Sequence, residues 1–194
     1  ELALQKTASG TGVLLDGVDD YIKLSKPLLT GEQQSLKISA DVRFDDFNFA
    51  TNPVNFGDQI TPIVTSYNGN DWGNVNNLTA VKKGFRFGVY HNGSSTSRWD
   101  FEIADGKDYY VAYSTAIPNA EFTALYGGKM LKTLAVFEAG KTMKIFVNDV
   151  EIPLRIQKVR SEHIRSWTFG GTVPELPGDH DVPATLLADE TIEN

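Results

Sequence analysis

Strict alternation of apolar and polar residues limits what this chain can fold into more than any other feature. Between Leu36 and Phe44, the apolar Leu36, Ile38, Ala40, Val42 and Phe44 are separated one by one by Lys37, Ser39, Asp41 and Arg43. Successive side chains of a strand point to opposite faces, so this segment is predicted to be a strand with one dry and one wet face. The same period recurs over Phe85–Tyr90, Arg98–Ile103 and Met143–Val147, and less cleanly over Tyr21–Leu24. Turn signals separate these segments: Asn92-Gly93, Asp105-Gly106, Gly127-Gly128, Ala139-Gly140 and Asn148-Asp149. Helical periodicity is nearly absent, and only Asn119–Tyr126, after Pro118, and Ser161–Arg165 suggest short helices. Many short strands joined by turns predict an all-β fold, an antiparallel two-sheet β-sandwich or jelly roll. Leu36, Ile38, Ala40, Val42 and Phe44 are expected to share one buried face, with Phe85, Phe87, Trp99, Phe101, Ile103, Ile145 and Val147 among their companions.

A chain of 194 residues without internal repeat or low-complexity linker suits a single domain over 1–194, able to bury one core without disulfide or metal. The absence of cysteine excludes thiol nucleophiles, Cys-ligated zinc and disulfide chemistry. A net charge of −7, with no basic cluster interleaved with aromatics, argues against nucleic acid as a partner. No apolar run approaches ~18 residues, so no membrane insertion is expected. The opening Glu1-Leu2-Ala3-Leu4 lacks both an initiator Met and a signal-peptide profile, as in a processed or excised piece.

Three segments in order resemble the laminin-G-like branch of the concanavalin A-like lectin/glucanase superfamily. Gly12–Ile22, reading Val-Leu-Leu-Asp-Gly-Val-Asp-Asp-Tyr-Ile from Val13, is similar to the opening strand of that family. Ser35–Phe44 resembles the long strand that follows, and Lys132–Val150 the late hairpin, with Ser166–Gly171 fitting the next strand. The family's closing strand, which returns beside the first, is approached only by Ala188–Asn194. The resemblance implies a lectin-like or glucanase-like sandwich. It also implies a structural Ca²⁺ near the Asp16-Gly17 turn, with Asp16, Asp19 and Asp189 as ligands.

Glycan hydrolysis needs two carboxylates flanking the scissile bond, which related hydrolases supply from Glu-x-Asp-x-Glu on one strand. That motif is absent, and Glu102-Ile-Ala-Asp105 and Glu190-Thr-Ile-Glu193 space their carboxylates onto opposite faces, as solvated strand faces do. No nucleophile elbow is present, and His91, His163 and His180 sit in unrelated contexts. The chain therefore reads as non-catalytic. Asp16, Asp19 and Asp20 offer the hard oxygens Ca²⁺ prefers, or simply cap a turn through their side chains. Asp179-His180-Asp181 reads as a polar loop.

Sugars stack on exposed aromatics while Asn, Asp and Arg hydrogen-bond their hydroxyls. Tyr67, Asn68, Asn70, Asp71 and Trp72, with Tyr90 and Asn92, have that composition on segments that read as loops. Trp72 reads either as a stacking plane or as a loop anchor; Trp99 and Trp167 read as core. Recognition is expected on the loops of 45–79 and 90–97, because the wet strand faces carry only scattered charges. Two function classes remain. One is a non-catalytic carbohydrate-binding or adhesion module that meets surface glycans outside the cell. The other is an assembly domain of a virion or surface appendage that contacts other protein subunits.

Overall fold

The computed structural model describes residues 3–7, 10–15, 22, 24, 35–45, 47, 60–66, 83–92, 95–105, 108–139, 141–160 and 180–182. The chain divides into two compact units, Glu1–Gly31 and Glu32–Asn194.

In the first unit, β1 (Ala3–Thr7) and β2 (Gly10–Leu14) form an antiparallel hairpin with Ala3 opposite Leu14 and Thr7 opposite Gly10. Of the strand expected to restart at Tyr21-Ile22, Tyr21 lies outside the described residues, and Ile22 and Leu24 are exposed and belong to no strand. β2 takes its partner from the polar segment before it, and a strand exists only where a partner completes its ladder.

The second unit is an antiparallel two-sheet β-sandwich. Its elements run β3 (Ser35–Arg43), β4 (Ile60–Thr65), β5 (Lys83–Asn92), β6 (Thr96–Asp105), β7 (Asp108–Ser114), β8 (Ile117–Pro118) and α1 (Asn119–Tyr126). After these come β9 (Met130–Glu138), β10 (Thr142–Val147), β11 (Val150–Ile152), β12 (Leu154–Arg160) and β13 (His180–Val182). The small sheet has the order β11-β10-β9-β3, and the large one β13-β12-β7-β6-β5-β4, with β8 paired to β6.

The alternation of β3 is realised residue by residue. Ser35, Lys37, Ser39, Asp41 and Arg43 are exposed, while Ile38 is buried and Leu36, Ala40, Val42 and Phe44 are half-buried. Its partner β9 carries Leu131, Thr133, Ala135 and Phe137 into the same layer, and the Thr133 hydroxyl donates to the Ala40 carbonyl at 2.8 Å. Met143, Ile145 and Val147 complete the small sheet's dry face. The large sheet contributes Phe85, Phe87, Val89, Trp99, Phe101, Ile103, Tyr110, Ala112 and Ile156. Trp99 is buried in the core, and Trp167 lies outside the described residues.

α1 occupies the segment the sequence marks for it. Pro118 fixes the entry, and Phe122 and Tyr126, four apart and therefore on one helix face, pack their rings at 5.8 and 5.4 Å from Trp99. Lys129 closes the helix by donating from Nζ to the Ala124 and Leu125 carbonyls at 2.8 and 2.9 Å. Phe47, in the irregular stretch after β3, is also core, 4.9 Å from the Phe44 ring and 5.4 Å from Phe122. That stretch holds β4 as well, which no clean alternation announces.

Candidate functional site

β5 and β6 depart from the dry-in, wet-out reading. Both lie inside the large sheet, β5 between β4 and β6, and β6 between β5 and β7. Phe85, Phe87, Val89, Trp99, Phe101 and Ile103 fill one face; on the other, Arg86, Asp100 and Glu102 are buried too. Glu102, expected on a solvated face, is 2% exposed, and Asp100 is 1% exposed. The charges tolerate burial because the register neutralises them. Arg86 stands directly opposite Glu102, and its Nε and Nη2 donate to Oε2 and Oε1 at 2.9 and 3.0 Å.

The charged row continues along β6. Arg98, two residues from Asp100 and so on the same face, donates from Nε and Nη2 to Asp100 Oδ2 at 3.3 and 3.2 Å. The Arg98 guanidinium rests on two tyrosine rings, its Cζ 4.5 Å from the Tyr90 centroid and 4.2 Å from that of Tyr113. Tyr90 faces Arg98 across β5 and β6, and Tyr113 faces Asp100 across β6 and β7. Asp100 Oδ1 is buried without a hydrogen-bond partner. Burial first, then the Glu102 charge, pushes the Asp100 carboxyl well above the carboxylate range, against the pull of Arg98. Burial also raises the Tyr90 phenol, with Arg98 opposing.

Above this row lies a shallow hollow of about 190 Å³ lined by Tyr90, Thr96, Ser97, Arg98 and Ala116. Small-molecule pockets begin near ~300 Å³, so this hollow is too small to enclose one.

A second polar chain crosses the opposite face of the same strands. The Thr61 hydroxyl lies 2.9 Å from His91 Nε2, His91 Nδ1 lies 2.9 Å from Ser97 Oγ, and Ser97 Oγ donates to Asn119 Oδ1 at 2.7 Å. Because the Ser97 proton goes to Asn119, Ser97 accepts from Nδ1–H. Burial lowers the imidazole pKa to about 4, which keeps the ring neutral at pH 7 and leaves Nε2 to accept from the Thr61 hydroxyl. Serine and histidine adjoin here in a closed setting: His91 is 7% exposed, Ser97 is 0% exposed, and Asn119 ties the serine to the start of α1.

Of the residues singled out from the sequence, Tyr90 belongs to the row on the large sheet, and Asn92 ends β5 opposite Thr96. Both sit in a strand, not in the loop expected for them. Tyr67, Asn68, Asn70, Asp71 and Trp72 lie outside the described residues, as do Asp16, Asp19 and Asp189. No group of three His, Asp or Glu able to hold a metal ion occurs among the described residues. Arg86, Arg98, Asp100, Glu102 and Tyr113 were not anticipated. Their signal was Asp100-Phe101-Glu102, a carboxylate pair at the spacing that shares one strand face. A search for Glu before Asp passes over it. Among the described residues, no helix is long and apolar enough to cross a membrane. No protein-family model, curated protein or solved structure matches the chain.

Proposed function

We propose that this chain is a non-catalytic carbohydrate-binding module of the cell or virion surface, with Tyr90, Arg98 and Tyr113 as its contact surface. One observation carries the reading: a half-exposed stack of two tyrosines and a guanidinium beside an open hollow. Aromatic rings supply the plane against which sugar C–H groups pack, and the guanidinium supplies hydrogen bonds at its edge. The same geometry speaks against hydrolysis. Asp100 and Glu102 are buried and held by Arg98 and Arg86, so neither reaches a glycosidic oxygen lying on the sheet. In line with the laminin-G-like resemblance, the proposal includes a structural Ca²⁺ at the Asp16-Gly17 turn.

A glycan array read with and without calcium tests the proposal. Tyr113→Ala should remove retention of bound glycans while shifting the melting temperature by no more than a few degrees. Retention equal to the wild type in both Tyr113→Ala and Tyr90→Ala would move recognition off this surface. Chelation should lower the melting temperature by mass action, and an unchanged melting temperature would remove calcium from the proposal.

The second reading, a domain for subunit assembly, is favoured by the first unit. Val13, Leu14, Leu15, Ile22 and Leu24 are between 42% and 59% exposed, an apolar set that suits a protein contact. Sedimentation as a concentration-dependent oligomer, with an empty glycan array, would establish assembly in place of sugar binding.

A further inference from the structure

Resting on the carbohydrate reading, we infer that the sugar this surface takes is acidic, with its carboxylate bound by Arg98 between Tyr90 and Tyr113. The two rings hold the guanidinium carbon over them, 4.5 and 4.2 Å from their centroids, so the charge is positioned before any ligand arrives. Its tie to the protein is loose. Nε and Nη2 share the single oxygen Asp100 Oδ2 at 3.3 and 3.2 Å, longer than the ~2.7–2.9 Å of a well-formed charge-assisted bond. A guanidinium has five N–H donors, and these two bonds leave most of the fork available. The Arg98 side chain is 25% exposed and lines the hollow with Tyr90, Thr96 and Ala116.

The charge balance points the same way. Arg86 and Glu102 neutralise each other in a closed bidentate pair. Burial, then the Glu102 charge, raises the Asp100 carboxyl, which disfavours the anion facing Arg98, and the Arg98 side chain itself keeps a quarter of its surface open to ligand. The molecule as a whole carries −7, but that repulsion is screened beyond ~8 Å at physiological salt, and a bound ligand responds to the charge it touches. A planar carboxylate matches the guanidinium fork, while the attached pyranose ring lies along the tyrosine edges. A neutral sugar uses the stack but leaves the charge unanswered.

The test titrates the full chain with uronate oligomers (galacturonate, glucuronate and mannuronate), with their methyl esters, and with dextran. A uronate oligomer should bind at least tenfold tighter than its methyl ester. Raising NaCl from 50 to 500 mM should weaken that binding and leave any dextran binding unchanged. Arg98→Gln should erase the preference for acid over ester. If ester and acid bind equally, or Arg98→Gln keeps the preference, the acidic-sugar inference is overturned while the carbohydrate reading stands. If no saccharide binds, here or on the array, the carbohydrate reading falls and takes the inference with it. Should Arg98→Gln fail to fold, the ester comparison and the salt titration on the wild type decide the matter alone.

Discussion

At the scale of single residues, burial separates Arg86, Glu102 and Asp100 into unequal roles. Removing one member of a buried pair leaves the other charge without compensation, at a cost of about 3–5 kcal/mol. Arg86→Met, which strands Glu102, should therefore lower stability by about that amount in a denaturant titration. Asp100→Asn should not. Burial already favours the neutral acid, and an amide keeps the oxygen that accepts from Arg98. Its stability at pH 7 should equal or exceed that of the wild type. His91 carries a pH dependence of defined sign. Its pKa falls from 6.5 to about 4 on folding, so the unfolded chain binds more protons between those values. The contribution of the neutral imidazole is complete above pH 6.5 and is lost as pH falls towards 4. With partial solvent screening allowed for, wild type should lose about 1–2 kcal/mol more than His91→Asn between pH 7 and pH 4.5. Parallel curves for the two proteins would assign the acid sensitivity elsewhere.

At the scale of elements, legibility tracked how a strand is covered. β3 and β10, each buried on one face, were readable as alternation, and their dry residues were the ones expected. β5 and β6 keep the alternation in sequence, yet Arg86, Asp100 and Glu102 on their second face are buried as well, while Tyr90 and Arg98 stay half-exposed. Period alone cannot report that, because it distinguishes the two faces and not what lies over them. β7, reading Asp-Tyr-Tyr-Val-Ala-Tyr-Ser, and β4 lack a clean period and depend on their neighbours for definition. The candidate surface was half legible. Tyr90 was visible as an aromatic, but Arg98 and Tyr113 became partners only through registers set by β5–β6 and β6–β7 pairing. The β4–β5 contact makes a sharp prediction. Pairing slips between Pro62 and Val64, and Gly88 stands opposite Pro62, which has no N–H to give. A Cβ on Gly88 would collide with the Thr61 carbonyl oxygen and stand 2.9 Å from Pro62 Cα. Gly88→Ala should cost about 1–3 kcal/mol as β4 is pushed away. A melting temperature equal to the wild type would mean that β4 shifts freely.

At the scale of the whole molecule, the connections decide the kinetics. β3 pairs with β9, and the Thr133–Ala40 bond spans a separation of 93 residues. Every strand of β4–β8 is made between those two partners. Closing such non-local pairs comes after a large loss of chain entropy, so refolding should fall in the millisecond-to-second range of β-sandwiches. Stopped-flow refolding complete within tens of microseconds would contradict that. The large sheet is laced in the same way, since β12 pairs with β7 across α1 and the whole of β9–β11. A cut after the exposed Lys129, between α1 and β9, would therefore not release a half-molecule. The upstream piece keeps β3 and β7, the downstream piece keeps β9 and β12, and ladders of nine and seven residue pairs hold them together. A nicked protein should migrate as one species until denatured, and two separately expressed fragments should reconstitute the sandwich only when mixed.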